Sequence, residues 1–81
     1  MRKDRAKIAK AFGVALRQAR QEAGLAQEAL ALKAEVDRTF VSRAERGERQ
    51  PALTTVFLLA KALNISAGQL VEKTQDALKR P

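Results

Sequence analysis

Between Ile8 and Ala23 the apolar residues Ile8, Phe12, Leu16, Ala19 and Ala23 recur every three or four positions, with Ala15 beside Leu16 and polar residues from Arg17 to Glu22 in the gaps. A 3.6-residue repeat gathers such positions on one face, so the spacing predicts an amphipathic helix. Gly24 suits the left-handed stop that ends it, and Leu25 can fold back onto the core. A second helix, about Gln27 to Ala34, turns Leu30, Ala31 and Ala34 inward. After a corner of about three residues a third runs from about Arg38 to Arg46, opened by Asp37, whose carboxylate can accept a backbone N–H of Thr39 or Phe40. The turn-like run GERQP follows, and Leu53, Val56, Leu59, Ala60 and Leu63 trace a fourth helix, capped by a left-handed Asn64. Ser66 and Gln69 form a capping-box pattern that opens a fifth helix carrying Leu70, Val71, Ala77 and Leu78. The chain reads as all-α, with five helices and no strand, in a single domain over residues 1–81, because every gap is too short for an interdomain linker.

The second and third helices form the informative unit, at about residues 27–46. Two helices that cross steeply need a small residue where the first passes under the second, and Ala31 meets that need. Val36, Val41 and Ala44 then turn the inner face of the third helix toward the first two. That leaves Arg38, Thr39, Ser42, Arg43 and Arg46 outside, which makes a helix-turn-helix with a basic outer face. An arginine fork can donate two hydrogen bonds to guanine O6 and N7, while Ser and Thr reach bases or phosphates and the Thr methyl packs on thymine. Phe40 has two readings: a contact with the sugar-phosphate wall or a thymine methyl, or a shield for the corner between the two helices. A basic face alone is more often a solvated surface. Here the turn, the spacing and the flanking helices together favour DNA contact.

Composition narrows the partners. Sixteen Lys and Arg against nine Asp and Glu leave a net charge of +7, which favours a polyanion, either nucleic acid or an anionic membrane. With neither cysteine nor histidine the chain lacks thiolate ligands, the usual zinc ligand and the usual general base, so no metal, cofactor or catalytic site is expected. A nuclease is disfavoured further because no Asp/Glu pair stands at metal-ligand spacing. The start of the chain lacks a signal-peptide core, and no stretch approaches the roughly 20 apolar residues of a membrane span, so a cytoplasmic protein is expected. The tract Arg2, Lys3, Arg5, Lys7 and Lys10 reads either as an arm following DNA or as a charged, frayed helix start.

Three separated segments, ALRQARQEAGLAQEALALKAEV, DRTFVSRAERGERQPAL and LLAKALNIS, agree in order and spacing with one family. The chain resembles the lambda-repressor/Cro-like, or Xre, helix-turn-helix proteins over about Phe12 to Leu70. The stretch DRTFVSRAERGERQP is similar to the reading helix of small controller proteins of restriction-modification systems. The resemblance implies a stand-alone DNA-binding regulator that acts as a homodimer on a palindromic or pseudo-palindromic operator, and because no effector-binding domain fits in 81 residues, no small-molecule effector is expected. It implies a phosphate contact for Gln27, reading positions at Arg38, Thr39 and Arg43 with Ser42 beside them, and a backbone contact for Arg46. It also implies a buried ion pair between Arg20 and Glu45. If the protein activates transcription, Glu28 and nearby acidic positions could touch RNA polymerase.

Three residues depart from the family pattern. Ala26 cannot cap the second helix, Glu35 stands where the turn often has glycine, and Ala44 replaces a larger aliphatic. Leu58 lies off the inward stripe of the fourth helix and, with Val71 and Leu78, is the candidate two-fold contact between protomers. The alternative to DNA binding is a protein-interaction module on the same fold, such as an antitoxin or an assembly adaptor.

Overall fold

The computed structural model describes residues 2–80, excluding the side chain of Arg2, so that member of the N-terminal basic tract lies outside the description. Five helices follow in order: α1 Arg2–Glu22, α2 Gln27–Ala34, α3 Arg38–Glu45, α4 Leu53–Ala62 and α5 Ala67–Lys79. No strand occurs among the described residues. The first helix starts six residues before the apolar repeat. Arg, Lys and Ala are good helix formers, and Asp4 in the first turn complements the helix dipole, so the basic tract continues α1 rather than forming an arm. Its end is as expected: Gly24 takes φ 71° and Leu25 is half-buried against the core.

Packing follows from the inward faces. The core is built from Phe12, Ala15, Leu16 and Ala19 of α1, Leu30, Ala31 and Ala34 of α2, Val41 and Ala44 of α3, Val56, Leu59, Ala60 and Leu63 of α4 and its end, and Leu70 of α5. α1 packs on α3 and α5, α2 on α3 and α4, and α4 on α5. Several positions of the apolar pattern fall outside this core, among them Val71, Ala77 and Leu78 of α5. Leu53 is 71 % exposed, because it precedes the turn of α4 that meets the core at Val56. Ile8 is 44 % exposed, one turn ahead of buried Phe12, and Ala23 lies beyond the end of α1.

The caps sort into made and missing. Ser66 Oγ accepts from Gln69 N at 3.0 Å while Gln69 Oε1 accepts from Ser66 N at 2.8 Å, a complete capping box. Asn64 takes φ 61°, as expected of a left-handed cap. Ala26 gives α2 no side-chain cap, and Glu35 is held left-handed at φ 58°. Each is a local deficit that a substitution should repair. Ala26→Ser is expected to add about 0.5–2 kcal/mol and Glu35→Gly about 1 kcal/mol. Both gains should appear as higher melting temperatures by circular dichroism; an unchanged or lowered midpoint for Ala26→Ser would contradict the capping argument.

Candidate nucleic-acid interface

The corner that aims α3 is closed by backbone bonds from Val36 N to Ala31 O at 3.0 Å and from Glu35 N to Leu32 O at 3.3 Å. Asp37 then opens α3 by accepting the Thr39 amide at 2.9 Å. Val41 and Ala44 are fully buried, so the inner flank of α3 is fixed and rotation about its axis would expose them. Its opposite flank presents Arg38, Thr39 and Arg43 to solvent, with Ser42 half-buried, and Arg46 follows as the exposed C-cap. Gln27, Arg38, Thr39 and Ser42 line one shallow depression, so the start of α2 and the outer face of α3 form a continuous surface. Phe40 is half-buried and packs against the core.

Behind this surface lies the ion pair. Arg20 Nε donates to Glu45 Oε2 at 2.7 Å and Nη2 to Oε1 at 3.0 Å, while Nη1 donates to the Leu25 carbonyl at 2.8 Å. The side chains are 12 % and 3 % exposed. The hydrogen bond and the charge of Glu45 raise the Arg20 guanidinium above its ordinary value despite the opposing effect of burial, so it stays charged at any pH that supports the fold. Gln27 Nε2 also donates to Glu45 Oε1, at 3.0 Å. One amide hydrogen of Gln27 is therefore committed inward, leaving the other, and the free backbone N–H groups at the start of α2, for a phosphate. One carboxylate thus ties together α1, the start of α2 and the end of α3.

The end of α3 is closed by bonds from Gly47 N to Ala44 O at 3.0 Å and from Glu48 N to Arg43 O at 2.9 Å, a Schellman arrangement in which Gly47 takes φ 76°. It places Glu48 against the arginines: Oε2 lies 3.1 Å from Arg46 Nε, and Oε1 lies 3.3 Å from Arg46 Nη2 and 4.0 Å from Arg43 Nε. Glu28 Oε2 lies 3.8 Å from Arg38 Nη1. All of these side chains are at least half exposed, and such pairs are worth about 0–1 kcal/mol, so they yield readily to a phosphate or a base. Sequence reasoning missed Glu48, although its place just after the closing glycine was a usable signal.

Leu58, Val71 and Leu78 are 38 %, 47 % and 43 % exposed, but no two of them line the same depression. Leu58 sits beside Phe57 and Lys61, Val71 beside Ile8 and Pro51, and Leu78 beside Lys7 and Val14. Leu53 and Phe57 on α4 are more exposed than Leu58, at 71 % and 57 %. The argument that singled out Leu58 applies to Phe57 as well, which also lies partly off the inward stripe.

The helix-turn-helix family profile matches residues 16–70. Control protein C.SmaI of Serratia marcescens is 44 % identical over 55 residues, which span 68 % of this chain and 63 % of that protein. The crystal structure of the restriction-modification controller protein C.AhdI from Aeromonas hydrophila superposes with a TM-score of 0.74 at 40 % identity, over 76 % of this chain and 94 % of that one. The controller protein C.Esp1396I, solved as a tetramer with its natural 35 base-pair operator, gives a TM-score of 0.81 at 27 % identity, over 90 % of this chain and 96 % of that one. With the profile covering both α2 and α3 and most of the core, this chain belongs to the helix-turn-helix family.

Proposed function

We propose that the protein is a sequence-specific DNA-binding transcriptional regulator that acts as a homodimer, placing α3 of each protomer in the major groove. One observation carries this reading. The inner flank of α3 is locked by Val41 and Ala44, while Arg38, Thr39 and Arg43 are exposed on the outer flank, where Arg38 and Thr39 share a surface with Gln27 and Ser42. In this arrangement Arg38 and Arg43 read guanines, Thr39 and Ser42 reach bases or phosphates, and Gln27 and Arg46 hold the sugar-phosphate backbone. The operator complex of C.Esp1396I supports the same use of the fold. Two reading helices about one turn of duplex, roughly 34 Å, apart would dock on one face of a palindromic site. Such a regulator works in the cytoplasm beside its DNA. Glu28, exposed at the start of α2, is the acidic position open to RNA polymerase.

Arginine variants separate reading from holding. Arg38→Ala and Arg43→Ala should each cost about 1–3 kcal/mol on the preferred site and relax one base position. Arg46→Ala should weaken all duplexes alike and reduce the salt slope by about 2, about 1 for each protomer of the dimer. Fluorescence anisotropy on preferred and random duplexes checks this, and equal losses on both duplexes for all three variants would remove the base-reading assignment. A binding constant nearly independent of salt would instead favour the protein-interaction module. Light scattering after size exclusion should give a dimer at tens of micromolar, and a monomer both with and without DNA would count against the homodimer.

A further inference from the structure

By the 3.6-residue repeat, Lys3, Lys7, Lys10 and Arg17 of α1 fall within an arc of about 80° and span about 21 Å along the helix. All four are exposed. Among the described residues no carboxylate forms an ion pair with any of them: Asp4 stands about 60° round the helix from Lys7, outside the arc, and Glu22, on the same side as Asp4, is bound to Lys73 of α5. The ridge therefore carries charge of one sign, broken by Val14.

This ridge adjoins the reading unit. A side chain at Gly47 would meet Lys10 Cγ at 2.8 Å and Lys10 Cα at 3.1 Å, so Lys10 packs directly on the turn that follows Arg46. One turn further along α1, Gly13 lies against the carbonyls of Ala44 and Glu45. Toward the N-terminus, Gln50 Nε2 donates to the Arg5 carbonyl at 2.8 Å, fastening the loop after α3 to the first turns of α1. The helix and the loop thus form one fixed surface beginning at Arg46.

We propose that this ridge is a second DNA contact, one that follows the sugar-phosphate backbone beyond the end of α3 and contributes affinity without base preference. The inference rests on the DNA-binding reading above. A run of cations along a rigid helix matches a phosphate track, and unopposed lysines are what counterion release requires. A membrane surface fits less well, because the apolar face of α1 is spent in the core and Val14 is the one large apolar side chain on the ridge.

The test compares wild type with the Lys3→Gln/Lys7→Gln/Lys10→Met variant, in which methionine keeps the stem that packs on Gly47. Lys61→Gln on α4 is the control for a general loss of charge. Binding to a preferred site and to random duplex is followed as a function of salt. The triple variant should flatten the slope of log K against log salt by about 5, at about 0.9 per lost phosphate contact and three contacts in each protomer of the dimer, equally on both duplexes, with base preference unchanged. If Lys10→Met disturbs the fold, the Lys3→Gln/Lys7→Gln variant should give about two thirds of the effect. Selective wild-type binding combined with a triple-variant slope no flatter than that of Lys61→Gln overturns the ridge and leaves the reading helix standing. A wild type that binds neither duplex overturns the DNA reading itself, and the ridge with it.

Discussion

Arg20→Met is expected to destabilise the protein by about 3–5 kcal/mol, enough to unfold much of it near physiological temperature. The reason is the charge left behind. Glu45 is 3 % exposed and would lose two of its three side-chain donors, keeping the N–H of Gln27 alone. The intact pair need not add net stability, since desolvation of both ions opposes their attraction. Removing both charges should therefore cost less than removing one: Arg20→Met with Glu45→Leu is expected to recover part of the loss. Urea denaturation of the two single variants and the double variant checks this. A double variant that loses the sum of the two single losses would contradict the stranded-charge explanation.

The second large effect is at Gly13. A Cβ there would sit 2.5 Å from the Ala44 carbonyl oxygen and 2.7 Å from that of Glu45, both backbone atoms at the crossing of α1 and α3. Neither can move without shifting a helix. Alanine would normally gain about 1 kcal/mol over glycine inside a helix, but the forced separation outweighs it. Gly13→Ala is expected to lose about 2 kcal/mol net, lowering the melting temperature by roughly 8–16 °C. A raised midpoint would mean that helix propensity, not the close crossing, governs the site. Because α3 is the element displaced, the variant should also weaken DNA binding more than its stability loss alone explains.

Local rules and global packing were legible to different degrees. The Asp37 cap, the Ser66 and Gln69 capping box and the left-handed Gly24 and Asn64 all depend on a few adjacent residues and occur as the sequence reading expected. Which apolar residues stay exposed depends on where neighbouring helices end. Leu53 and Ile8 fit their stripes, yet each lies about one turn outside the packed region. The role of Gly13 was hidden for a related reason. Its neighbours Ala44 and Glu45 are some thirty residues away in sequence, although a glycine inside a strong helical run was a signal to ask what passes close to it. Ala44, smaller than its family pattern suggests, is fully buried at this same crossing.

At the interface the sequence indicated the face but not the state of its side chains. Periodicity separates Val41 and Ala44 from Arg38, Thr39 and Arg43, because the two sets fall on opposite sides of one short helix. Periodicity carries no information about the inward bond of Gln27 to Glu45, which depends on how α2 crosses α3, or about Glu48 lying between Arg43 and Arg46, which depends on the fold of the turn after α3.

The most direct measurement is selection of bound duplexes from a random DNA library with the wild-type protein. If Arg38 and Arg43 read bases from a fixed α3, the selected sequences should converge on a two-fold related pair of half-sites containing guanines, about one helical turn apart. Duplexes recovered without any enriched sequence would contradict the claim that the outer face of α3 reads DNA.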